Sequence, residues 1–476
     1  MAVLPPRRDR NELLLLPQPS QDPRDPLNWK PWLKFMVLAE ISLLSFLSLL
    51  SAALITPNFE LLSRYLDRPM GQTVYVTSMF LLSAGLSSIF WNPISNVYGR
   101  RPVYIITVLI GLLMSVASGK ATSYGPLLAF RCLNGFFGGV PAGLGNAVVA
   151  DLFFTHERGL YMGIYTVMYI TGGHIAPIIG GYIEDAISWR WCFYIPAIIT
   201  AVVWLVYVLT VPETLYPRSM SQAQPQLLRT WTQNMTLQGR ANPAGQLRLI
   251  DFFRPFQMLK YPSVLLPSLY YAVAFAHGSI LFIISSAQLF AANYGYEARR
   301  TGLLLGIPIT VGSVLGELMS GGFSDWISER RSLARGKRIP EDRLLVIVPS
   351  FILIPLGIII EGVCLQNRTH FMGVAMGIAT ASFGLQVATT VVYTYTSECY
   401  KPQSPEIGSI INFIRQMVSF GMSFYALPFV AAIGVQNAWI VMAFIVVVFF
   451  LPLIPLYLWG GKWRERLRYP AFNYDL

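Results

Sequence analysis

The chain has 476 residues, of which 54% are hydrophobic and only 12% are charged, and its net charge is +11. Soluble domains carry about 25% charged residues, so this composition excludes an ordinary soluble protein of several domains. The Lys and Arg residues lie in the gaps between apolar runs and form no single basic face. This distribution argues against nucleic-acid binding and favours a signal for membrane topology.

The apolar residues fall into runs of about 20 residues, the length a helix needs to cross a bilayer. We therefore predict an all-α integral membrane protein with twelve spans, six on each side of a polar stretch. The first six predicted spans are Trp32–Thr56, Thr73–Trp91, Val103–Gly119, Pro126–Leu152, Leu160–Ile183 and Trp191–Val211. The second six are Val264–Phe290, Gly302–Trp326, Leu344–Cys364, Phe371–Ser397, Ile407–Ala432 and Trp439–Trp459.

The distribution of Lys and Arg predicts which side of the membrane each loop faces. If both termini and the polar stretch share one side, 26 of the 35 Lys and Arg residues lie on that side. Because cytoplasmic loops carry the excess of positive charge, we expect both termini in the cytoplasm. The predicted organisation is an N-terminal tail (1–31), a six-helix bundle (32–211), a linker (212–262), a second six-helix bundle (263–459) and a C-terminal tail (460–476).

The gap after the second span reads WNPISNVYGRRP, from Trp91 to Pro102. Gly99 suits a tight turn, and Arg100 and Arg101 suit the level of the lipid headgroups. A related corner follows six spans later, where Gly321–Asp325 (GGFSD) ends the eighth span and a basic loop follows. A corner repeated at equivalent places in both halves is typical of transporters built from repeats.

These corners resemble those of the major facilitator superfamily, and in particular its fungal twelve-span drug:proton antiporters. The family's loop after span 2 reads roughly GxLxDRxGRR, which Gly99, Arg100 and Arg101 match. Asn96 stands in place of the family's acid, whereas Asp325 keeps an acid in the second copy. The resemblance implies that these residues form a conformational switch on the cytoplasmic side, with a latch at Asn96 that is weaker or made by hydrogen bonds. For Arg100 and Arg101, a role in membrane topology alone is the alternative.

Spans 4 and 5 extend the resemblance. In span 4, Leu127, Arg131 and Gly135 match LxxxRxxxG; the family links this Arg to proton coupling, and outward snorkelling of Arg131 is the alternative. Span 5 matches the antiporter motif Gx8Gx3GPx2GG, with one alanine for glycine, at Gly163, Gly172, Ala176, Pro177, Gly180 and Gly181. In the family this motif accompanies exporters that exchange substrate for protons, whereas ordinary close packing of helices is the alternative.

Three short segments resemble further signatures of the family, and we expect mostly structural roles for them. They are Trp189–Trp191 (WRW), Pro212–Thr214 (PET) and Pro340–Leu344 (PEDRL). The stretch from Tyr393 to Tyr425 resembles the family's spans 10 and 11, and Glu398 fills its acidic position.

Ionisable residues inside the spans are few, and each is expensive in lipid unless it faces a cavity or a partner. They are Glu40, Arg131, His174, His277, Glu317, Glu361, Glu398 and Arg415. A carboxylate in a semi-apolar site can hold a proton near neutral pH, so we predict Glu317, Glu40 and Glu398 as proton-coupling candidates, beside Arg131, for which the resemblance implies that role. A static hydrogen bond or ion pair, or solvation of Glu398, is the alternative.

Span 7 combines aromatic side chains with a few polar groups, which suits a pocket for an apolar or amphipathic molecule. The predicted substrate-cavity residues are Tyr270, Tyr271, His277 and Gln288. We expect the cavity to lie between two halves that rock around it in alternating access.

The sequence thus predicts a secondary transporter that exports a small amphipathic drug or secondary metabolite in exchange for protons. Proton-coupled uptake of a polyamine or another nutrient is an alternative, which the acids Glu40 and Glu398 keep open. A sensor that no longer transports is a further alternative, suggested by Asn96. No metal-ligand spacing, nucleophile elbow or phosphate loop is evident in the sequence, so neither an enzyme nor a cofactor is expected.

The expected partners are the lipid bilayer, a small-molecule substrate and protons, and we expect a monomer. The resemblance favours the plasma membrane, with the vacuolar membrane as the alternative. Asn367-Arg-Thr369 is a candidate N-glycosylation sequence in a predicted outer loop.

Overall fold

A computed structural model of the chain describes residues 17–20, 22–216, 235, 246–335, 339–467 and 470. Within these residues, twelve helical segments are long and apolar enough to cross a membrane, which confirms the predicted all-α fold. In chain order, α1–α12 are Pro31–Leu66, Met70–Tyr98, Arg100–Lys120, Tyr124–Leu152, Leu160–Ala186, Trp191–Thr210, Pro262–Ser285, Ala298–Arg331, Pro340–Gln366, Phe371–Cys399, Lys401–Ile433 and Val435–Leu467.

Several helices run past the predicted spans. The helix that contains α8 continues past the predicted end at Trp326 as far as Arg335, and α12 continues to Leu467, into the predicted C-terminal tail. The extra turns carry charged residues such as Arg330 and Arg464. Hydropathy marks the part of a helix that can lie in hydrocarbon, and a helix does not have to end where that part ends.

Helix pairing in the first six helices repeats in the last six. The pairs α1–α5, α2–α4, α3–α4 and α3–α6 correspond to α7–α11, α8–α10, α9–α10 and α9–α12. The two sets meet where α2 packs on α11 and where α5 packs on α8. In the repeat, α2 corresponds to α8 and α5 corresponds to α11, so each of these contacts is the counterpart of the other. The structure is therefore one helical plan used twice.

The two ends of the molecule carry different side chains. We call the end where α2 passes into α3 the basic end, which holds Arg100, Arg101 and Arg343. The opposite end is the one where α5 finishes and α8 starts, and there Asp185 pairs with Arg299 at 3.4 Å.

Part of the predicted linker 212–262 is helical, which the sequence analysis did not anticipate. We call Leu249–Gln257 the connector helix. Its Phe252 ring lies 5.5 Å from that of Phe90 on α2, and its Phe256 ring lies 5.5 Å from that of Phe413 on α11. Linker residues 217–234 and 236–245 lie outside the described residues, as do residues 1–16 and 471–476 of the predicted tails.

Small residues bring α4 close to α2 and α5 close to α1. A Cβ at Gly139 of α4 would lie 2.8 Å from that of Ala84, and one at Gly143 would lie 2.5 Å from the hydroxyl of Ser88. On α5, a Cβ at Gly180 would overlap with the carbonyl oxygen of Leu54. Close backbone approach of this kind stabilises helix pairs in membranes, where no hydrophobic effect drives helices together.

We expect Gly180→Ala to lower the free energy of unfolding by about 1–3 kcal/mol, because the added methyl group overpacks the α1–α5 contact. The measurement is the melting temperature of the detergent-solubilised protein. Gly163→Ala on the same helix is the matched control, since a Cβ there meets nothing within 4 Å and alanine favours helix. An unchanged melting temperature for Gly180→Ala would contradict the described packing.

Candidate functional site

The corner between α2 and α3 is built around Arg100. Gly99, with a φ of 114°, turns the chain from one helix into the next, a conformation that glycine tolerates best. The Arg100 Nη1 donates to Ser95 Oγ at 2.6 Å and to Asn96 Oδ1 at 2.5 Å. Its Nε lies 3.3 Å from a carboxylate oxygen of Asp151, at the end of α4. Asn96 thus contributes a hydrogen bond to this corner, and Asp151 contributes the negative charge.

Glu213, from the PET signature, fixes the start of α3. Its carboxylate accepts the backbone N–H of Arg100 at 2.8 Å and that of Arg101 at 3.2 Å. The Arg101 side chain reaches back and donates from Nε to the carbonyl of Val211 at 2.7 Å. Burial raises the pKa of Glu213, while the backbone N–H groups it accepts lower it. The end of α6 therefore satisfies donors that the first turn of α3 leaves unpaired.

A second corner repeats this arrangement at the start of α9. Arg343 donates from Nη1 to Ser324 Oγ and from Nη2 to Glu398 Oε1, both at 2.8 Å. Ser324 thus corresponds to Ser95 of the first corner, and Glu398 corresponds to Asp151. The predicted proton-coupling candidate Glu398 is consequently part of an ion pair at the basic end. The side chain of Asp325 lies outside the described part of the chain.

Arg131 lies completely buried in α4 and does not reach the surface. Its guanidinium donates to the carbonyls of Val76, Ser51 and Ala52 at 2.9–3.1 Å and to Asn134 Oδ1 at 3.2 Å. Among the described residues, no carboxylate lies within 4.0 Å of it. Regular helix in α1 ends just after Ser51 and Ala52, so at these two carbonyls Arg131 binds groups that a helix end leaves exposed.

The candidates Glu317 and Glu40 lie in different halves and different environments. Glu317 on α8 accepts from Gln386 at 2.8 Å and from Thr390 at 2.7 Å, and both donors are on α10. Glu40 on α1 is half-buried, and its Oε2 has no hydrogen-bond partner among the described residues. Both side chains can take up a proton without breaking an ion pair that the structure describes.

Two residues of the α5 motif form the contact between the halves. A Cβ at Gly302 of α8 would overlap with the carbonyl of Pro177, and one at Gly181 would lie 2.6 Å from the carbonyl of Ala298. Both contacts lie towards the opposite end of the molecule. Towards the basic end, by contrast, a Cβ at Gly321 of α8 would meet nothing within 4 Å. The α5–α8 seam is therefore tight at the opposite end.

The other motif residues face elsewhere. Gly172 and Gly180 face α1, where a Cβ would overlap with the carbonyls of Phe46 and Leu54. Ala176 is fully buried, whereas Gly163 has open space around it. The motif thus serves two contacts of α5, one within the first half and one between the halves.

The α2–α11 seam is lined by small polar side chains. The hydroxyl oxygens of Ser78 and Ser423 lie 2.5 Å apart, and the amide of Asn92 donates to Ser409 Oγ at 2.6 Å. Hydrogen bonds between such side chains can be exchanged for bonds to water when the helices part.

The four predicted cavity residues on α7 are dispersed. Tyr270 is buried inside the second half, where its hydroxyl lies 2.7 Å from Ser350 Oγ of α9. His277 lies in a π-helical turn, Ala276–Ile280, and its Nε2 lies 3.1 Å from the Tyr425 hydroxyl of α11. Gln288 is exposed and lies on the helix Leu281–Tyr294, which continues α7. Tyr271 faces the contact between the halves.

That contact centres on Arg415 of α11, which is 4% exposed. Its Nη2 donates to Asn412 Oδ1 at 2.7 Å and to the Tyr169 hydroxyl of α5 at 3.4 Å. Asn412 in turn donates to Ser88 Oγ of α2 at 3.1 Å. The ring centres of Phe275 and Tyr271 lie 4.3 and 5.9 Å from the guanidinium carbon. We call Arg415, Asn412, Tyr169, Tyr271 and Phe275 the arginine cluster.

Arg415 was expected to be an ionisable residue within a span, but it was not among the predicted site residues. A usable signal was present, because Asn412 and Arg415 are three residues apart and so share one helix face. Tyr169 could not be found in this way, since it reaches the cluster from the other half. The architecture of two repeated helix sets around a buried polar contact is that of a secondary transporter.

Comparison with known proteins agrees with this class. A family model described as Major Facilitator Superfamily matches residues 41–426. The efflux pump radE of Floropilus chiversii is 27% identical over 96% of this chain and 85% of its own length. The MFS transporter cpaT of Aspergillus oryzae is 28% identical over 94% of this chain and 91% of its own length. The chain belongs to the Major Facilitator Superfamily and is a transporter.

Solved structures share the fold at low sequence identity. The Escherichia coli xylose transporter XylE, in a partially occluded inward open conformation, gives a TM-score of 0.65 at 12% identity, over 90% of this chain and 99% of that one. A bacterial homolog of the human lysosomal transporter Spinster, inward-facing and unoccupied, gives 0.63 at 17% identity, over 93% and 100%.

We expect Glu213→Ala to destabilise the protein by about 1–3 kcal/mol, because it leaves buried N–H groups of α3 without an acceptor. Glu213→Gln keeps an acceptor oxygen and should lose less. Melting temperatures in detergent test both variants. The control is Glu60→Ala, which removes an exposed ion pair with Arg64 and should change little; an equal loss in all three variants would contradict the role of Glu213.

Proposed function

We propose that this protein exports a small amphipathic organic compound, a drug or a secondary metabolite, in exchange for protons. The bundles 32–211 and 263–459 alternate between two tilts around the arginine cluster. The observation that carries the proposal is the construction of the two seams. The α2–α11 seam carries serine and asparagine pairs beside the ring contact of Tyr75 with Phe424, and the α5–α8 seam has glycine and backbone contacts. The polar pairs can exchange their hydrogen bonds for bonds to water when the helices part.

The direction of transport rests on the relatives and on α5. The proteins radE and mfs2, from Floropilus chiversii and Aspergillus flavus, carry the names efflux pump and probable efflux pump. In this chain, Pro177 and Gly181 of the antiporter motif lie in the tight part of the α5–α8 seam. An outward-facing state would separate these residues from Gly302 and Ala298.

Glu317 and Glu40 are the proposed proton carriers. Neutralising Glu317 changes its hydrogen bonds to Gln386 and Thr390 and so alters the contact between α8 and α10. Arg131 acts on coupling through the ends of α1 and α2, whose carbonyls it binds. Glu398, as the partner of Arg343, belongs with Arg100, Arg101 and Asn96 to the switch at the basic end.

We propose that the basic end faces the cytoplasm of a plasma-membrane protein that works as a monomer. The excess of Lys and Arg residues on that side supports this orientation. Asn367 is exposed in the short turn between α9 and α10, at the opposite end, and is a glycosylation candidate there. The buried cation of Arg415 argues against polyamine uptake, since it would repel a cationic substrate.

Accumulation of fluorescent amphipaths in transporter-deficient cells tests the function. We expect cells expressing the chain to accumulate less dye and a proton uncoupler to remove the difference. Glu317→Gln should weaken the dependence of export on external pH, because glutamine cannot carry a proton and Glu40 remains as the second carrier. Glu361→Gln is the control, since Glu361 is bound to Trp439 between α9 and α12, away from the seams. Higher, uncoupler-sensitive accumulation would instead identify an importer.

Cross-linking across the α5–α8 seam tests alternating access. In an Asp185→Cys/Arg299→Cys variant, a short bifunctional thiol reagent should tie the halves at the opposite end and reduce export to background. A reagent with a reducible spacer allows export to be restored. Glu60→Cys/Arg64→Cys, with both sites on α1, should keep its activity after the same treatment. Full export by the cross-linked seam variant would rule out the proposed motion.

A further inference from the structure

Arg415 is a buried cation with unused hydrogen-bonding capacity. Both of its hydrogen bonds leave from Nη2, and its Nε has no partner among the described residues. An arginine has five N–H donors in a fixed planar arrangement. Within the described chain, no carboxylate lies within 4.0 Å of its guanidinium. A buried charge without a counter-ion is costly, so this arrangement calls for an explanation.

The other buried arginines of the described chain, and the partly buried Arg464, are satisfied differently. Arg100, Arg343 and Arg464 each pair with a carboxylate at 2.7–3.3 Å. Arg131 binds three backbone carbonyls and one amide oxygen, and Arg101 binds two carbonyls. Arg415 makes one short hydrogen bond, to Asn412, and one long one, to Tyr169. Its guanidinium also lies over the aromatic rings of Phe275 and Tyr271. Unlike the other arginines, Arg415 thus has neither a carboxylate nor a backbone carbonyl as a hydrogen-bond acceptor among the described residues.

The position of Arg415 suits a ligand that both halves must sense. It lies about 21 Å along α11 from Lys401, near the middle of a helix of about 50 Å. Through Tyr169 it contacts α5, and through Asn412 and Ser88 it contacts α2. A group that binds the free N–H donors of Arg415 therefore changes contacts that join the two halves.

We propose that the substrate is an organic anion whose carboxylate or phenolate pairs with Arg415 and whose ring system packs against Phe275 and Tyr271. The planar guanidinium matches a carboxylate with two parallel hydrogen bonds, a geometry that lysine lacks. The aromatic rings that flank it provide an apolar surface for the rest of the molecule. This inference rests on the proposed transport function and narrows its substrate class.

The test is binding of two xanthene dyes of opposite charge, the anion fluorescein and the cation rhodamine 6G, to the purified full-length protein by fluorescence anisotropy. We expect the wild type to prefer fluorescein. Arg415→Met should weaken fluorescein binding roughly 30-fold or more, since truncation of one partner of a buried charge pair has effects of that size. Arg415→Lys keeps the charge but loses the two-point contact, and it should weaken binding about tenfold.

Arg64→Met, which removes an exposed arginine near the end of α1 and outside both seams, is the control and should bind as the wild type does. If Arg415→Met does not fold, Arg415→Lys decides. Equal binding of the two dyes by the wild type, or unchanged fluorescein binding by Arg415→Lys, would overturn the anion site and leave the exporter intact. Because binding needs no gradient, fluorescein binding that depends on Arg415 in a protein without uncoupler-sensitive export supports the anion site and rejects proton coupling.

Discussion

The requirement to satisfy buried guanidinium groups organises this structure. An arginine that leaves water must find acceptors, because an unpaired charge in an apolar medium is costly. Arg100 and Arg343 meet this requirement by gathering the ends of neighbouring helices at the basic end. Arg131 meets it by binding the carbonyls where regular helix in α1 stops. Each of these arginines joins elements that are distant in the sequence, so they locate helix ends relative to one another.

Because the helix arrangement is repeated, a buried arginine at a helix corner occurs in both halves. The residues that bind it differ between the two copies. In the first half, the corner acid is Asp151 and an amide, Asn96, completes it. In the second half, Glu398 is the acid, and Arg464 of α12 adds a pair with Glu341 at the start of α9. The first half instead holds the start of α3 through Glu213. The two halves therefore need not release their basic-end contacts with equal ease.

Much of the fold could be predicted from the sequence, because long apolar runs leave the chain few choices in a bilayer. The number of helices and their division by a polar stretch follow from hydropathy alone. The turn at Gly99 could also be expected, because it depends on that residue alone, whereas the pair of Arg100 with Asp151 joins residues 51 apart in sequence. Helix ends beyond the apolar part, as at Arg335 in the helix that contains α8, could not be predicted because ordinary helix propensity governs them.

The site was harder to predict, because its contacts join distant parts of the chain. Arg131 was recognised as costly, yet its partners depend on where α1 stops being regular, which the sequence does not mark. Tyr169 and Arg415 are 246 residues apart in sequence, and each alone resembles an ordinary helix residue. Tyr270 and Tyr271 are neighbours on α7, but one turns into the second half and the other towards the seam. Helix rotation separates them, and a list of aromatic residues cannot show it.

The connector helix has a consequence for how the molecule opens. It is nine residues long, about 14 Å, and its rings rest on α2 of one half and on α11 of the other. Widening of this seam at the basic end must detach one of these rings or carry the connector helix along with one half. Its Leu249 and Phe253 are 82% and 59% exposed, a pattern that suits a helix lying among lipid headgroups. Movement of the connector helix would then displace lipid. The rate at which the seam opens would therefore depend on how tightly the lipids of the surrounding leaflet are packed.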